Sequence, residues 1–278
     1  MGPREIGANQ GSSANLAVAC IKSASWRFRT DSAGNSVNRV EAAFFSFTPP
    51  APAGDDGSYL RWHLLDHMPE QYQLPGIVLG TRWIADGDYL SARLAGAGPL
   101  ADTGNVVNYL VGAPVQQTHD DFMALGRKLA EVGRFPERRP SLEVSFVALL
   151  QSHAAPRALV SSEVVPFRPH RGALVIVEEP AGDVGPWLAG LEAEHYRQLL
   201  EVPGVAGAWM YGPAGATTLH ANVQHDPRYV TVVYLDEDPL AVAKSLTPLV
   251  EHRWASGAVR PLFAGPLRSM VRWDAWPD

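Results

Sequence analysis

An α+β fold built from two copies of one β-α-β-β-α-β unit is predicted by three observations. The first is an internal repeat. Residues 66–83 align without a gap to residues 194–211, which sets His67 on His195, Pro75-Gly76 on Pro203-Gly204 and Trp83 on Tyr211. The second is the period, 128 residues in a chain of 278. That is too long for a solenoid and right for two small domains, each able to bury its own core. The third is the order of the periodic segments, which reads strand, helix, strand, strand, helix, strand, and then reads so again. This is the split β-α-β order of a ferredoxin-like domain.

Each element has its own warrant. Arg39 to Phe47 is apolar and aromatic enough for a central strand, and Pro49-Pro50 stops it. Ser58 is placed to cap a helix running to about His67, with Leu60, Leu64 and Met68 as its apolar stripe. Tyr59, His63 and His67 lie along the adjoining edge, and Pro69 is expected to limit the helix. Residues 77–84 and 105–112 read as strands. Thr118 to Val132 has helical spacing at Phe122, Leu125 and Leu129, with Gly133 as its stop. Leu142 to Leu150 is the fourth strand. In the second half, strands are expected at Ala173–Val177, Val205–Tyr211 and Tyr229–Leu235, and from Val259 to near Trp273. Helices are expected at Val184–Leu200 and Leu240–Trp254. Each sheet has one face covered by its helices. Its other face needs a partner, which the second copy supplies within the chain.

The resulting division is 1–38 as a mobile N-terminal extension, 39–150 as the first repeat, 151–171 as a linker and 172–278 as the second repeat. The extension is rich in Gly, Ser and Asn and has no sustained apolar period. Its longest apolar run, Leu16 to Ile21, is too short for a signal-peptide core or a membrane span. Net charge is -6, which leaves no basic footprint for nucleic acid. The single cysteine, Cys20, excludes an intrachain disulfide and a multi-cysteine metal site. A cytoplasmic setting fits.

Trp62-His63-x3-His67-x-Pro69, then Pro75-Gly76-Ile77 and Arg82-Trp83, resembles the EthD-like branch of the dimeric α+β barrel superfamily. Members pair two ferredoxin-like sheets into a barrel, and this chain resembles a fused tandem form, an intrachain α+β barrel. The second copy departs from the pattern, with Leu191 at the place of His63 and Gly190 at that of Trp62. The resemblance puts His67 on the wall of a cleft between helices and sheet. Relatives include oxygenases without cofactors, polyketide cyclases, dehydratases and lactone isomerases, as well as haem-binding members and proteins without known activity.

Two function classes follow. One is a cofactor-independent enzyme acting on an apolar or aromatic ketone or phenol, with His67 as general base and His63 beside it. Tyr59, Trp62, Tyr72, Arg82, Trp83, Tyr109 and His195 are then its substrate-binding residues, with a Tyr or Arg holding the oxyanion. The alternative is a non-catalytic ligand-binding or stress-responsive barrel whose histidines are structural. No metal is expected, because His63 and His67 stand at i and i+4 but lack an evident third ligand. No cofactor is expected: there is no nucleotide motif, and nothing singles out an axial haem ligand. Thr217 to Arg228, with His220 and His225, reads as a polar loop. The expected assembly is a monomer, or at most a weak homodimer. An open cleft with His67 facing into it favours the enzyme, and a filled one favours the alternative.

Overall fold

The apolar run after Val40 forms strand β1, Ala42–Thr48, and its alternation sets the whole architecture. Phe45 and Phe47 point into one core, whereas Ala42 and Phe44 point into another. The computed structural model describes residues 38–50, 56–135, 141–213 and 228–270. Apart from Asn38, the expected mobile segment 1–38 lies outside these residues, as do His220, His225 and Trp273.

Helix α1 begins at Asp56 rather than Ser58. It runs as Asp56–Trp62, a π-helical turn His63–His67, and Met68–Gln71. It passes through Pro69, against expectation. The turn ahead of the proline has already moved the hydrogen bonding to i−5, the Met68 N–H donating to the His63 carbonyl, so the helix continues where an i−4 ladder would break. Strand β2 is Ile77–Ile84. A short helix α2, Asp88–Ser91, and a two-residue strand β3, Ala95–Gly96, follow, neither of them legible in the periodicity. Strand β4 is Asn105–Val111, helix α3 Val115–Glu131, and strand β5 Glu143–Ala154. Gly133 closes α3 at φ +71°, a left-handed conformation that glycine adopts without strain.

The second half repeats the series. Strand β6 is Gly172–Pro180, and helix α4 runs as Val184–Gly190, a π-helical turn Leu191–His195 and Tyr196–Glu201. Strands β7, Val205–Gly212, and β8, Tyr229–Leu235, precede helix α5, Pro239–Ala255, and strand β9, Val259–Ser269. The repeat reaches into local irregularities. The π turns at His63 and Leu191 are 128 residues apart. So are the β-bulges at Ile77/Leu79 and Val205/Gly207. The second π turn has no proline after it, so the wide turn belongs to the repeat and not to Pro69.

Strand order is β2-β4-β1-β5-β7-β8-β6-β9-β3, with a further β2–β9 pairing. Each half therefore keeps the ferredoxin-like order, and the two sheets join at both seams into one closed antiparallel barrel. The β5–β7 seam is long, from Ala148↔Gly212 to Ala154↔Gly207. The β2–β9 seam has two pairs, Trp83↔Ser269 and Ile84↔Arg268, and is fastened by an ion pair of Arg268 with Asp86 at 2.7 Å. The interior is filled by Phe45, Phe47, Trp83, Trp209, Tyr211, Tyr234 and Phe263 with smaller residues between them. No helix among the described residues is long and apolar enough to cross a membrane.

The two helical layers differ. The second-half layer packs twenty buried apolar residues, among them Trp187, Leu191, Leu199, Met210, Leu246 and Val250. The first-half layer packs ten. Among the described residues the second-half layer is thus the more densely packed, and a cavity opens in the first.

Candidate active site in the first-half cleft

The hollow under α1 and α3 is a cavity of about 450 Å³. Its floor is the helix-facing side of the sheet, with Phe44, Ser46 and Thr48 of β1, Val107 and Tyr109 of β4, and Val144 of β5. One wall is α1, carrying Tyr59, Trp62, His63, His67 and Gln71. The other is α3, carrying Phe122, Met123, Gly126, Arg127 and Ala130, with Phe135 and Ser141 beyond it. The interior is mostly apolar, with a few convergent polar groups, as ligand sites usually are.

Five of the nine candidate residues named from the sequence line this cavity: His67, His63, Tyr59, Trp62 and Tyr109. Four do not. Trp83 neighbours Arg82 on β2, and alternation along the strand turns it into the barrel interior, against Tyr234. Its place in a substrate site is therefore corrected to the core. His195 lies in the other half, nearly enclosed, its Nε2 without a partner among the described residues. Tyr72 is half-exposed. Its hydroxyl accepts from the Gly80 N–H at 2.9 Å and donates to the Gly80 carbonyl at 3.2 Å, so it braces β2 rather than facing the cavity. Arg82 sits just behind the lining, its guanidinium 4.6 Å from the centre of the Tyr59 ring.

The imidazoles are held by rings. His67 stacks on Trp62 at 4.9 Å and 15° and has Phe135 at 5.1 Å on another side. Its Nε2 is 3.5 Å from the Gln71 amide nitrogen, and the His63 ring is 5.6 Å away. Burial pushes the His67 pKa down to about 4. Asp66 pulls it up in part, and Arg82 and Arg134 push it down further. His63 is driven well below the usual imidazole range, first by burial and then by the charges of Arg82 and of a protonated His67. Both rings are therefore neutral at pH 7 and able to accept a proton. Burial also raises the Tyr109 phenol, which keeps its proton and remains a donor. At the rim, Arg134 pairs with Asp66 at 2.5 Å and Glu70 at 2.9 Å, and its backbone carbonyl accepts from the Trp62 indole at 2.9 Å. These contacts tie α1 to the segment after α3.

The repeat supplies an internal control. Where the first copy has Trp62, His63 and Arg82, the second has Gly190, Leu191 and Met210. Leu191 and Met210 are buried in the packed second layer. Three changes at matched positions thus accompany the difference between a cavity with a few polar groups in its lining and a densely packed apolar layer.

The contributions of α3 and β1 lie outside the 59–83 motif. Gly126 carried a signal: a glycine inside a helix weakens it and calls for a packing or functional reason. Here nothing lies within 4 Å of where its Cβ would be, and the space is cavity. Ser46 and Thr48 carried another, as polar residues on the face of β1 opposite Phe45 and Phe47.

No family model matches the chain. No curated protein matches it either. Solved structures do resemble it. A protein assigned as a chlorite dismutase shares 12% identity over 84% of this chain and 96% of its own, with a TM-score of 0.50. An anthrone oxidase-like protein shares 12% over 84% and 93%, with a TM-score of 0.48. A heme-binding protein from Thermus thermophilus shares 10% over 85% and 96%, also with a TM-score of 0.48. At such identity the first likeness shows a shared fold and nothing of the chemistry.

Proposed function

We propose that the chain is a small-molecule enzyme that binds a planar, largely apolar ketone or phenol in the first-half cavity and transfers a proton by way of His67. The observation that supports this most is the hollow itself: an aromatic chamber of about 450 Å³ in which two neutral imidazoles and two tyrosines converge. The EthD-like resemblance of residues 59–83 supports the same reading. A ligand stacked among Trp62, Phe122 and Phe135 would lie beside the His67 ring. His67 would take a proton from a phenolic O–H or from a carbon next to a carbonyl, leaving an oxyanion. The Tyr109 hydroxyl is the donor placed to hold it, with Tyr59 beside it in the lining. Cyclisation, dehydration, isomerisation and monooxygenation of such substrates all start from that anion. A base with a pKa of about 4 in the empty site is a weak one. A new anion at its side would raise that value, so the step is favoured for substrates that are themselves acidic.

One neighbour's name speaks of haem, which would bring redox chemistry. Proton transfer by way of His67 does not draw on it. In the first-half cavity His67 Nε2 lies 3.5 Å from the Gln71 amide nitrogen. In the second half His195 is buried, its Nε2 without a partner among the described residues. No step is assigned to haem; titration with hemin separates the two readings, proton transfer alone predicting no Soret band of an imidazole complex. The proposal itself is tested by a thermal-shift screen of aromatic ketones and phenols on the wild type and on Gly126→Leu, whose side chain would fill the cavity. Hits that stabilise the wild type and not the variant support it. Hits that act equally on both place the ligand elsewhere and sink it.

A further inference from the structure

Arg82 is buried, at 2% exposure, and none of its three guanidinium nitrogens has a hydrogen-bond partner among the described residues. Its contact with the Tyr59 ring covers one face of the guanidinium and leaves the N–H groups at its edge unbonded. A buried charge without a partner is costly and persists where it serves something. Among the described residues no carboxylate answers it. Among the described cavity residues none is acidic, and Arg127 adds a second cation. At the rim Asp66 and the Oε1 of Glu70 pair with Arg134, and neither acid is paired with Arg82 among the described residues. The repeat shows that the fold has no structural need for the charge. Met210 holds the matching position on β7, fully buried in the apolar layer.

We infer that the ligand of the first-half cavity is an organic anion, a planar aromatic carboxylate or readily ionised phenol, whose charge pairs with Arg82 at the end of the cavity formed by Tyr59, His63 and Tyr109. The inference rests on the reading of this cavity as a small-molecule site and narrows its ligand class. Tyr59, Tyr109 and His63 line that end. The Tyr109 hydroxyl and His63 Nδ1 are, like Arg82, buried and without partners among the described residues. An oxyanion there would accept from the Tyr109 phenol and lie in the field of the guanidinium just behind the lining, and the aromatic body would extend toward Phe122 and Phe135.

Calorimetric titration with 2-naphthoate and with 2-naphthalenemethanol, matched in shape and differing in charge, tests this. The wild type is expected to bind the naphthoate at least about tenfold more tightly, since a charged hydrogen-bonded pair replaces a neutral one. Arg82→Met should erase the preference. It should also raise the melting temperature of the free protein, because it puts in the first copy what the second already carries. Arg82→Lys, retaining charge, should keep part of the preference. Equal affinity of the two probes in the wild type, or a preference that survives Arg82→Met, overturns the anion site while leaving the cavity reading in place. Failure of both probes to bind overturns both. A lower melting temperature or a failure to fold in Arg82→Met would make Arg82 a structural residue and count against the inference. Stabilisation by chloride equal to that by naphthoate, and lost in Arg82→Met, would assign a small inorganic anion and overturn the organic one.

Discussion

At the scale of single residues the histidines are kept neutral by burial. An imidazole whose pKa is about 6.5 in the unfolded chain and about 4 in the folded one is protonated first in the unfolded state. As pH falls through that interval the unfolded chain takes up protons that the folded chain refuses, so stability declines from about pH 6.5 to about pH 4 and levels off below. His67 and His195 both act in this direction, and His63 with them. A melting temperature that drops between pH 7 and pH 4, with a shallower drop in His195→Gln, is expected. A flat profile across that window would contradict the burial of these rings. The same shift governs turnover. If His67 is the general base, activity should persist below pH 6 without an inflection near 6.5. His67→Ala should lower turnover by about a hundredfold or more with the fold intact, and His195→Ala should not. Once a substrate is in hand, a steady-state pH profile of the wild type and the two variants decides the point.

At the scale of elements, the glycines of the two Pro-Gly turns show how the repeat is built. A Cβ on Gly76 would meet the Thr118 hydroxyl at 2.0 Å, and one on Gly204 would meet Val242 at 2.5 Å. In each half the turn presses against the first part of the second helix, α3 or α5. Gly204 adds a φ of +85°, closed to most side chains. Gly76→Ala and Gly204→Ala should each destabilise by about 1–3 kcal/mol, as overpacking does, with Gly204 the more sensitive. Gly126→Ala should instead stabilise by about 0.5–1 kcal/mol, since it removes a glycine from a helix with open space beside it. Chemical denaturation of the three variants checks the order, and a stabilised Gly76→Ala would contradict it. Most of these elements were legible in the sequence because alternation and helical spacing are strong local signals. The strand at 77–84 and the stop at Gly133 are read from their own residues. The π turns were not, because nothing in His63–His67 distinguishes a wide turn from an α one, and the passage through Pro69 depends on that turn. Strand β3 escaped because two residues, Ala95 and Gly96, carry no period; they are strand because β9 lies beside them.

At the scale of the whole molecule, closure within one chain replaces the pairing of two. Both seams of the barrel are internal, so no second copy is needed to cover a sheet edge between the halves. A folded monomer of 30.1 kDa is expected by light scattering, with a melting temperature that does not change on dilution. A species stable only as a dimer would contradict it. The barrel was foreseeable from the repeat, and so was the inequality of the halves, from Leu191 at the place of His63. The position of the cavity was not fully so. Trp83 and Arg82 are neighbours in sequence but face opposite cores, and α3 enters the site from far along the chain. The claim on which the rest depends is that the hollow first-half cleft, and not its filled counterpart, receives the ligand. Histidine-selective 15N NMR tests it most directly, with resonances assigned by single substitution and followed as 2-naphthoate is added. The account predicts that the signals of His63 and His67 move and saturate together while that of His195 stays in place. Movement of His195 with His63 and His67 unperturbed would contradict it.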